Sequence, residues 1–157
     1  LYSRMFAYHD PNIPLMEAML DFDHRIPGAP YTHFGWEIYP HTIHESLMRF
    51  KDEWGDPEVY VTENGTAADD QLVMGEVNDQ ERIDLLAAYL AEVRRAMDEG
   101  VKVKGYFQWS FMDNFEWAEG YGSRWGIVHV DYDSLVRTPK ASAYWYRDLI
   151  RAGGYDR

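Results

Sequence analysis

The sequence predicts an α/β fold with parallel strands joined by crossover helices. Three observations lead there. Apolar residues recur with helical and then strand spacing, in alternation along the chain. Both clear strand-like runs end in long loops. The residues with unusual chemistry stand in those loops, where open α/β sheets and (β/α)8 barrels place their sites.

The elements follow in order. The first forty residues read as loop-rich, because Pro11, Pro14, Pro27, Pro30 and Pro40 interrupt any long helix, and residues 15–20 allow at most a short turn. A helix starts after Pro40. Thr42 with Glu45 fits a capping box, and Ile43, Leu47, Phe50 and Trp54 make one stripe. Gly55 and Pro57 end it. Val59, Tyr60, Val61 and Thr62 read as a short strand that runs into Glu63-Asn64-Gly65, a turn signal. Residues 64–77 form a polar loop. A second helix opens at Asn78 or Asp79, buries Ile83, Leu86, Leu90, Val93 and Met97, and stops at Gly100. A second strand covers 102–109, an aromatic loop 110–126, and a short strand 127–132. Thr138-Pro139 caps a last helix with Ala141, Trp145 and Leu149 inside, closed by Gly153-Gly154. No repeat or linker divides the chain.

Composition narrows the function. The chain has 157 residues, with 15 Lys and Arg against 27 Asp and Glu, a formal charge of −12. That balance argues against nucleic acid and against an anionic membrane surface. No apolar run is long enough to span a bilayer. Cysteine is absent, which removes disulfide and thiol chemistry. A hydrophobic fraction of 46% with 27% charged residues fits a globular chain with a real core. The chain opens at Leu1, inside an apolar stretch, with neither an initiator methionine nor a signal-peptide pattern. We therefore expect part of a longer protein, located in the cytoplasm.

The aromatic fraction is 16%, including 6 Trp and 12 Tyr, and it concentrates interest on two clusters. Glu63 reads either as a solvated turn carboxylate or as a carboxylate held at a barrel mouth by a rigid strand. Trp109, Glu116 and Trp117 read either as core or as a sugar site, in which an indole face stacks on C–H groups and a carboxylate accepts from hydroxyls. His41 and His44 flank a helix start and read as a solvated pair rather than metal ligands.

Several motifs, in register over nearly the whole chain, resemble glycoside hydrolase family 1, the retaining β-glucosidases and their relatives. Val61-Thr62-Glu63-Asn64-Gly65 resembles that family's nucleophile motif. The run from Gly105 through Gln108-Trp109-Ser110 to Asp113-Asn114-Phe115-Glu116-Trp117 resembles its sugar-binding motif. Gly35-Trp36-Glu37, Asp79-Gln80-Glu81-Arg82-Ile83, Gly120-Tyr121, Arg124-Trp125-Gly126 and Arg137-Thr138-Pro139-Lys140 agree as well. The resemblance implies that residues 1–157 are the C-terminal portion of one catalytic domain, a (β/α)8 TIM barrel, from the end of strand 6 through helix 8. The N-terminal part of that barrel would be its partner.

The activity so implied is hydrolysis of terminal β-D-glycosidic bonds in β-glucosides, β-galactosides or β-fucosides, by retaining double displacement. It needs a small-molecule glycoside and neither cofactor nor metal. By the same resemblance Glu63 is the nucleophile. Tyr2 takes the place of the second tyrosine of an Asn-Tyr-Tyr motif that hydrogen-bonds the nucleophile, unless it is an incidental terminal residue. Trp109 forms the sugar platform, Glu116 accepts from the 4- and 6-hydroxyls, and Trp117 donates to the 3-hydroxyl. Trp36 lines the aglycone side or packs in the core, and Trp125 stands where the family commonly has phenylalanine. Leu1, Phe111, Tyr89 and His129 are mild departures. The family's Asn-Glu-Pro tripeptide, which carries the acid/base glutamate, does not occur in the chain, so the segment alone is expected to be inactive. Three alternatives remain. One is a barrel that binds sugars without cutting them. Another is a 6-phospho-β-glycosidase, disfavoured by the charge of Glu116. The third is an isolated half-barrel, disfavoured by its open strand edges.

Overall fold

The structure is a computed structural model that describes residues 27–154. Tyr2 and the turn expected at 15–20 lie outside the described residues. The elements are α1 (His41–Glu53), β1 (Glu58–Asn64), α2 (Gln80–Asp98), β2 (Lys102–Gln108), β3 (Val128–Val130), β4 (Arg137–Pro139) and α3 (Ala141–Arg151), with a 3-10 turn at Trp117–Glu119. β1 and β2 pair in parallel, with Glu58 opposite Lys102 and Asn64 opposite Gln108. α2 provides the crossover between them, as parallel pairing requires. β3 and β4 form a small antiparallel pair. None of the helices among the described residues is long and apolar enough to cross a membrane.

The core lies between the β1–β2 sheet and the two helices α1 and α2. Ile43 and Leu47 meet Leu85, Tyr89, Val93 and Ala96 there, over Val61 and Val101. Val59, Val103 and Tyr106 complete it from the sheet. Alternation along the strands sends the intervening side chains to the opposite face. On that face Tyr60 is 58% and Phe107 57% exposed. A parallel sheet is ordinarily covered on both sides, so this apolar face and the two outer strand edges are open among the described residues.

The structure corrects several expectations. No side chain caps α1: the helix begins at His41 behind Pro40, so Thr42 sits inside the first turn and is buried. Glu45 instead accepts from the Tyr39 hydroxyl. Ile43 and Leu47 enter the core, but Phe50 and Trp54 are exposed, because α1 meets the core with its first turns only. Of His41 and His44, read as a solvated pair, only His41 is exposed. His44 is buried and lies 3.2 Å from Glu99, while His41 lies 3.1 Å from Glu92, so both stand on the side of α1 that faces α2 and its C-terminal end. The buried stripe of α2 is Arg82, Leu85, Leu86, Tyr89, Val93 and Ala96, rotated from the expected one; Met97 is exposed. Thr138 and Pro139 belong to β4 and do not cap the last helix. The first amides of α3 are satisfied from elsewhere: Ala141 N–H donates to the Val77 carbonyl and Ser142 N–H to the Asp79 carboxylate.

Candidate functional site

The carboxyl ends of β1 and β2 bring the two expected clusters together. β1 does not turn at Glu63 but continues to Asn64, which is fully buried. The Tyr106 hydroxyl donates to Asn64 Oδ1 at 2.6 Å, and Trp109 N–H donates to the Asn64 carbonyl at 2.9 Å. Gly65 is needed for a close approach: a Cβ there would stand 1.9 Å from the Trp109 carbonyl oxygen. The Asn-Gly pair is therefore a seam between neighbouring strands, and it leaves Glu63 exposed on a strand end.

Trp109 follows β2 directly, and its indole Nε1–H donates to Glu116 Oε1 at 3.3 Å. Glu116 is half-buried. Burial pushes its carboxyl above the usual range, and the nearby charge of Glu63 adds to the rise; hydrogen bonds from Trp109 and Asn114 oppose it. Glu63, Trp109 and Glu116 thus share one electrostatic environment. Trp117, next to Glu116 in the 3-10 turn, is 85% exposed. Trp125 is only 4% exposed; its ring centroid lies 5.4 Å from those of Trp36 and Phe34. In this arrangement Trp125 backs the half-buried Trp36 rather than offering an open face. Among the described residues no group of three or more His, Asp or Glu is placed to hold a metal ion.

The loop after β2 is held by side chains that sequence reasoning did not single out. Gln108 Nε2 donates to the Trp109 carbonyl at 2.7 Å. Asn114 donates to the Ser110 hydroxyl and the Met112 carbonyl, both at 3.0 Å. The loop folds back on the segment before β3: Ser110 N–H donates to the Trp125 carbonyl, and Ile127 N–H to the Ser110 carbonyl. Gly126 is required where they touch, since a Cβ would lie 2.2 Å from the Asp113 nitrogen.

A largely buried network of three carboxylates and three cations joins the loops after β1 and β2. Arg82 donates to both oxygens of Asp70, to Asp79, and to the Arg124 carbonyl. Lys140 Nζ lies 2.5 Å from Asp70 and 2.8 Å from Asp113. Asp113 also accepts from Arg124 Nη1 at 2.6 Å and from Gly126 N–H. Burial works to raise the Asp113 carboxyl, but Lys140 and Arg124 outweigh it and hold the group below the usual carboxylate range. Asp79, just before α2, and Arg82, in its first turn, are three apart and could have been paired from sequence; Lys140 joins residues far apart in the chain.

The fold and this cluster define a β/α protein with an acidic, aromatic site at the carboxyl ends of parallel strands. The chain belongs to glycosyl hydrolase family 1, whose family model matches residues 2–155. It is 45% identical over 156 residues to β-glucosidase A of Thermotoga maritima, covering 99% of this chain and 34% of that protein. It is 48% identical over 154 residues to a 1,4-β-D-glucan glucohydrolase of Thermotoga neapolitana, covering 98% and 34%. A solved family 1 β-glucosidase from Thermotoga maritima superposes with a TM-score of 0.81 at 48% identity, over 85% of this chain and 30% of that one. The chain thus spans about a third of the length of these relatives, and the solved one is a (β/α)8 barrel.

Proposed function

We propose that this chain is the C-terminal part, from the end of strand 6 through helix 8, of a (β/α)8 barrel that hydrolyses terminal β-D-glucosidic bonds with retention of configuration. One observation carries the reading: Glu63 and Trp109 stand at the same ends of neighbouring parallel strands, with Glu116 hydrogen-bonded to the Trp109 indole. The exposed Tyr60 and Phe107 and the open strand edges support a barrel completed by further strands. The names of the relatives support glucosides as substrates.

Glu63 attacks the anomeric carbon as a carboxylate, while a second carboxyl group, contributed by the preceding part of the barrel, protonates the leaving oxygen. Retaining enzymes hold the two groups about 5–5.5 Å apart. Attack turns Glu63 into an ester and removes its charge. The partner's pKa then falls, and it serves as base for the water that releases the sugar. Trp109 stacks beneath the sugar, Glu116 accepts from its 4- and 6-hydroxyls, and Trp117 donates to the 3-hydroxyl. A 6-phosphate would meet the Glu116 carboxylate, which favours unphosphorylated sugars.

The test uses the complete enzyme, obtained by joining this chain to the remaining two thirds of Thermotoga maritima β-glucosidase A. A β-glucosidase of that organism has been solved in complex with cyclophellitol, a cyclitol epoxide. The Glu63 carboxylate is expected to open that epoxide and retain the adduct as an ester. Peptide mass spectrometry should place it on residues around Glu63; an adduct on another carboxylate overturns the assignment.

The raised pKa of Glu116 gives a second expected result. A raised value means that the group takes up its proton above the ordinary glutamate value of about 4.3. Protonation removes its charge-assisted hydrogen bonds to the sugar. The inhibition constant of glucose, a neutral ligand, should therefore rise roughly tenfold as pH falls through that raised value. In Glu116→Gln the constant should be high and flat with pH. A wild-type constant independent of pH would remove Glu116 from the sugar site.

A further inference from the structure

We infer that Lys140 is a positioning residue for the sugar-contacting loop: its ammonium joins Asp70, on the loop after β1, to Asp113, on the loop after β2, and so fixes where Glu116 stands. This rests on the reading of Glu116 as acceptor from the sugar hydroxyls. Lys140 is fully buried at the entrance to α3. Its Nζ reaches Asp70 Oδ2 at 2.5 Å and Asp113 Oδ1 at 2.8 Å. Asp70 is anchored in turn by two hydrogen bonds from Arg82 on α2.

From Asp113 the path to the site is short. Its neighbour Asn114 grips the Ser110 hydroxyl and the Met112 carbonyl, and Glu116 follows two residues further along the same loop. Glu116 then receives the Trp109 indole N–H. Lys140 therefore touches neither sugar nor nucleophile but sets the frame in which Glu116 and Trp109 meet.

The chemistry of burial supports a geometric role over a purely stabilising one. Removing an ammonium from water is costly, and an aliphatic side chain of similar length fills the same space without that cost. An aliphatic chain cannot hold two carboxylates from two different loops in fixed directions. The network balances, with Asp70, Asp79 and Asp113 against Arg82, Arg124 and Lys140, so it carries no surplus charge into the interior. Loss of this link lets the loop after β2 shift relative to β1, and small misplacements of a binding group cost rate steeply.

The test is substrate discrimination in the complete enzyme. The readout is the ratio of kcat/KM for p-nitrophenyl β-glucoside to that for the β-xyloside, which lacks the C6 hydroxymethyl group. Lys140→Met should lower the ratio roughly tenfold. The charge-balanced double variant Asp70→Asn with Lys140→Met should fold even if the single variant fails to, and should lower the ratio similarly. A merely structural lysine reduces the folded fraction and both rates together, leaving the ratio intact; that result in the double variant overturns the inference. In a Glu116→Ala background the Lys140 substitution should no longer move the ratio. If Glu116→Ala itself leaves the ratio unchanged, the reading of Glu116 fails and takes the inference with it. If Glu116→Ala lowers the ratio and the Lys140 variants do not, the inference alone fails.

Discussion

Replacing Glu63 by alanine in the complete enzyme is expected to lower kcat for an aryl β-glucoside on the order of 10⁵-fold, about 7 kcal/mol in activation free energy. The size follows from the two jobs of a retaining mechanism. The nucleophile forms the covalent glycosyl-enzyme, and without it the leaving group departs with nothing on the opposite face of the sugar. Alanine leaves a gap at an exposed strand end whose backbone is fixed by the buried Asn64 and by the Gly65–Trp109 contact. A small anion can enter that gap. Azide should therefore restore cleavage of an activated substrate, and the product should be the inverted α-glycosyl azide, identified by the anomeric proton signal in NMR. Normal retaining turnover by Glu63→Ala would falsify the assignment.

The positions of Glu63 and Trp109 are legible in the sequence because Glu63 stands near the end of one strand and Trp109 directly after another, both with strong local signals. Val59, Val61, Val103 and Tyr106 are apolar residues in short strand-like runs, and the helices before and between them carry one buried stripe each. What the sequence pattern misplaced was the role of Asn64-Gly65. Locally that pair signals a turn, yet in the fold it is the seam against Trp109 and Tyr106, a contact forty-odd residues away along the chain. The helix starts differ from the local signals for a related reason. Thr42, Thr138 and Pro139 carry local capping propensity, but α1 begins behind Pro40 and α3 takes its cap from Asp79 across a tertiary contact. The stripe of α2 was rotated because Arg82 looks like a surface residue from its type alone. Its burial is offset by partners on other loops, which no periodicity reveals. Matching motifs around Asp79, Arg124 and Lys140 did mark these positions, without telling what joined them.

Arg82→Ala is expected to destabilise the complete enzyme by about 3–5 kcal/mol, the range for breaking a buried ion pair from one side. Arg82 lies in the first turn of α2, where the helix dipole disfavours a cation, so other partners hold it there. They are the carboxylates of Asp70 and Asp79 and the carbonyls of Thr66 and Arg124. Burial pulls the guanidinium's pKa down, but the two carboxylates outweigh it and keep the charged form favoured. Alanine removes the cation and leaves both acids in the interior. Lys140 still reaches Asp70, while Asp79 loses its guanidinium and keeps the hydrogen bonds from Ser142. The measurement is the shift in urea midpoint, with Arg49→Ala as the comparison. Arg49 pairs with Glu53 in solvent on α1, and its loss should leave the midpoint where it was. The contrast decides what the network does. If Arg82→Ala costs no more than the surface variant, the buried charges are not what holds the loop after β1 against the loop after β2. If the loss falls in the expected range, the frame that joins the loops after β1 and β2 is electrostatic, and its stiffness comes from acids and cations that hold one another across separate loops.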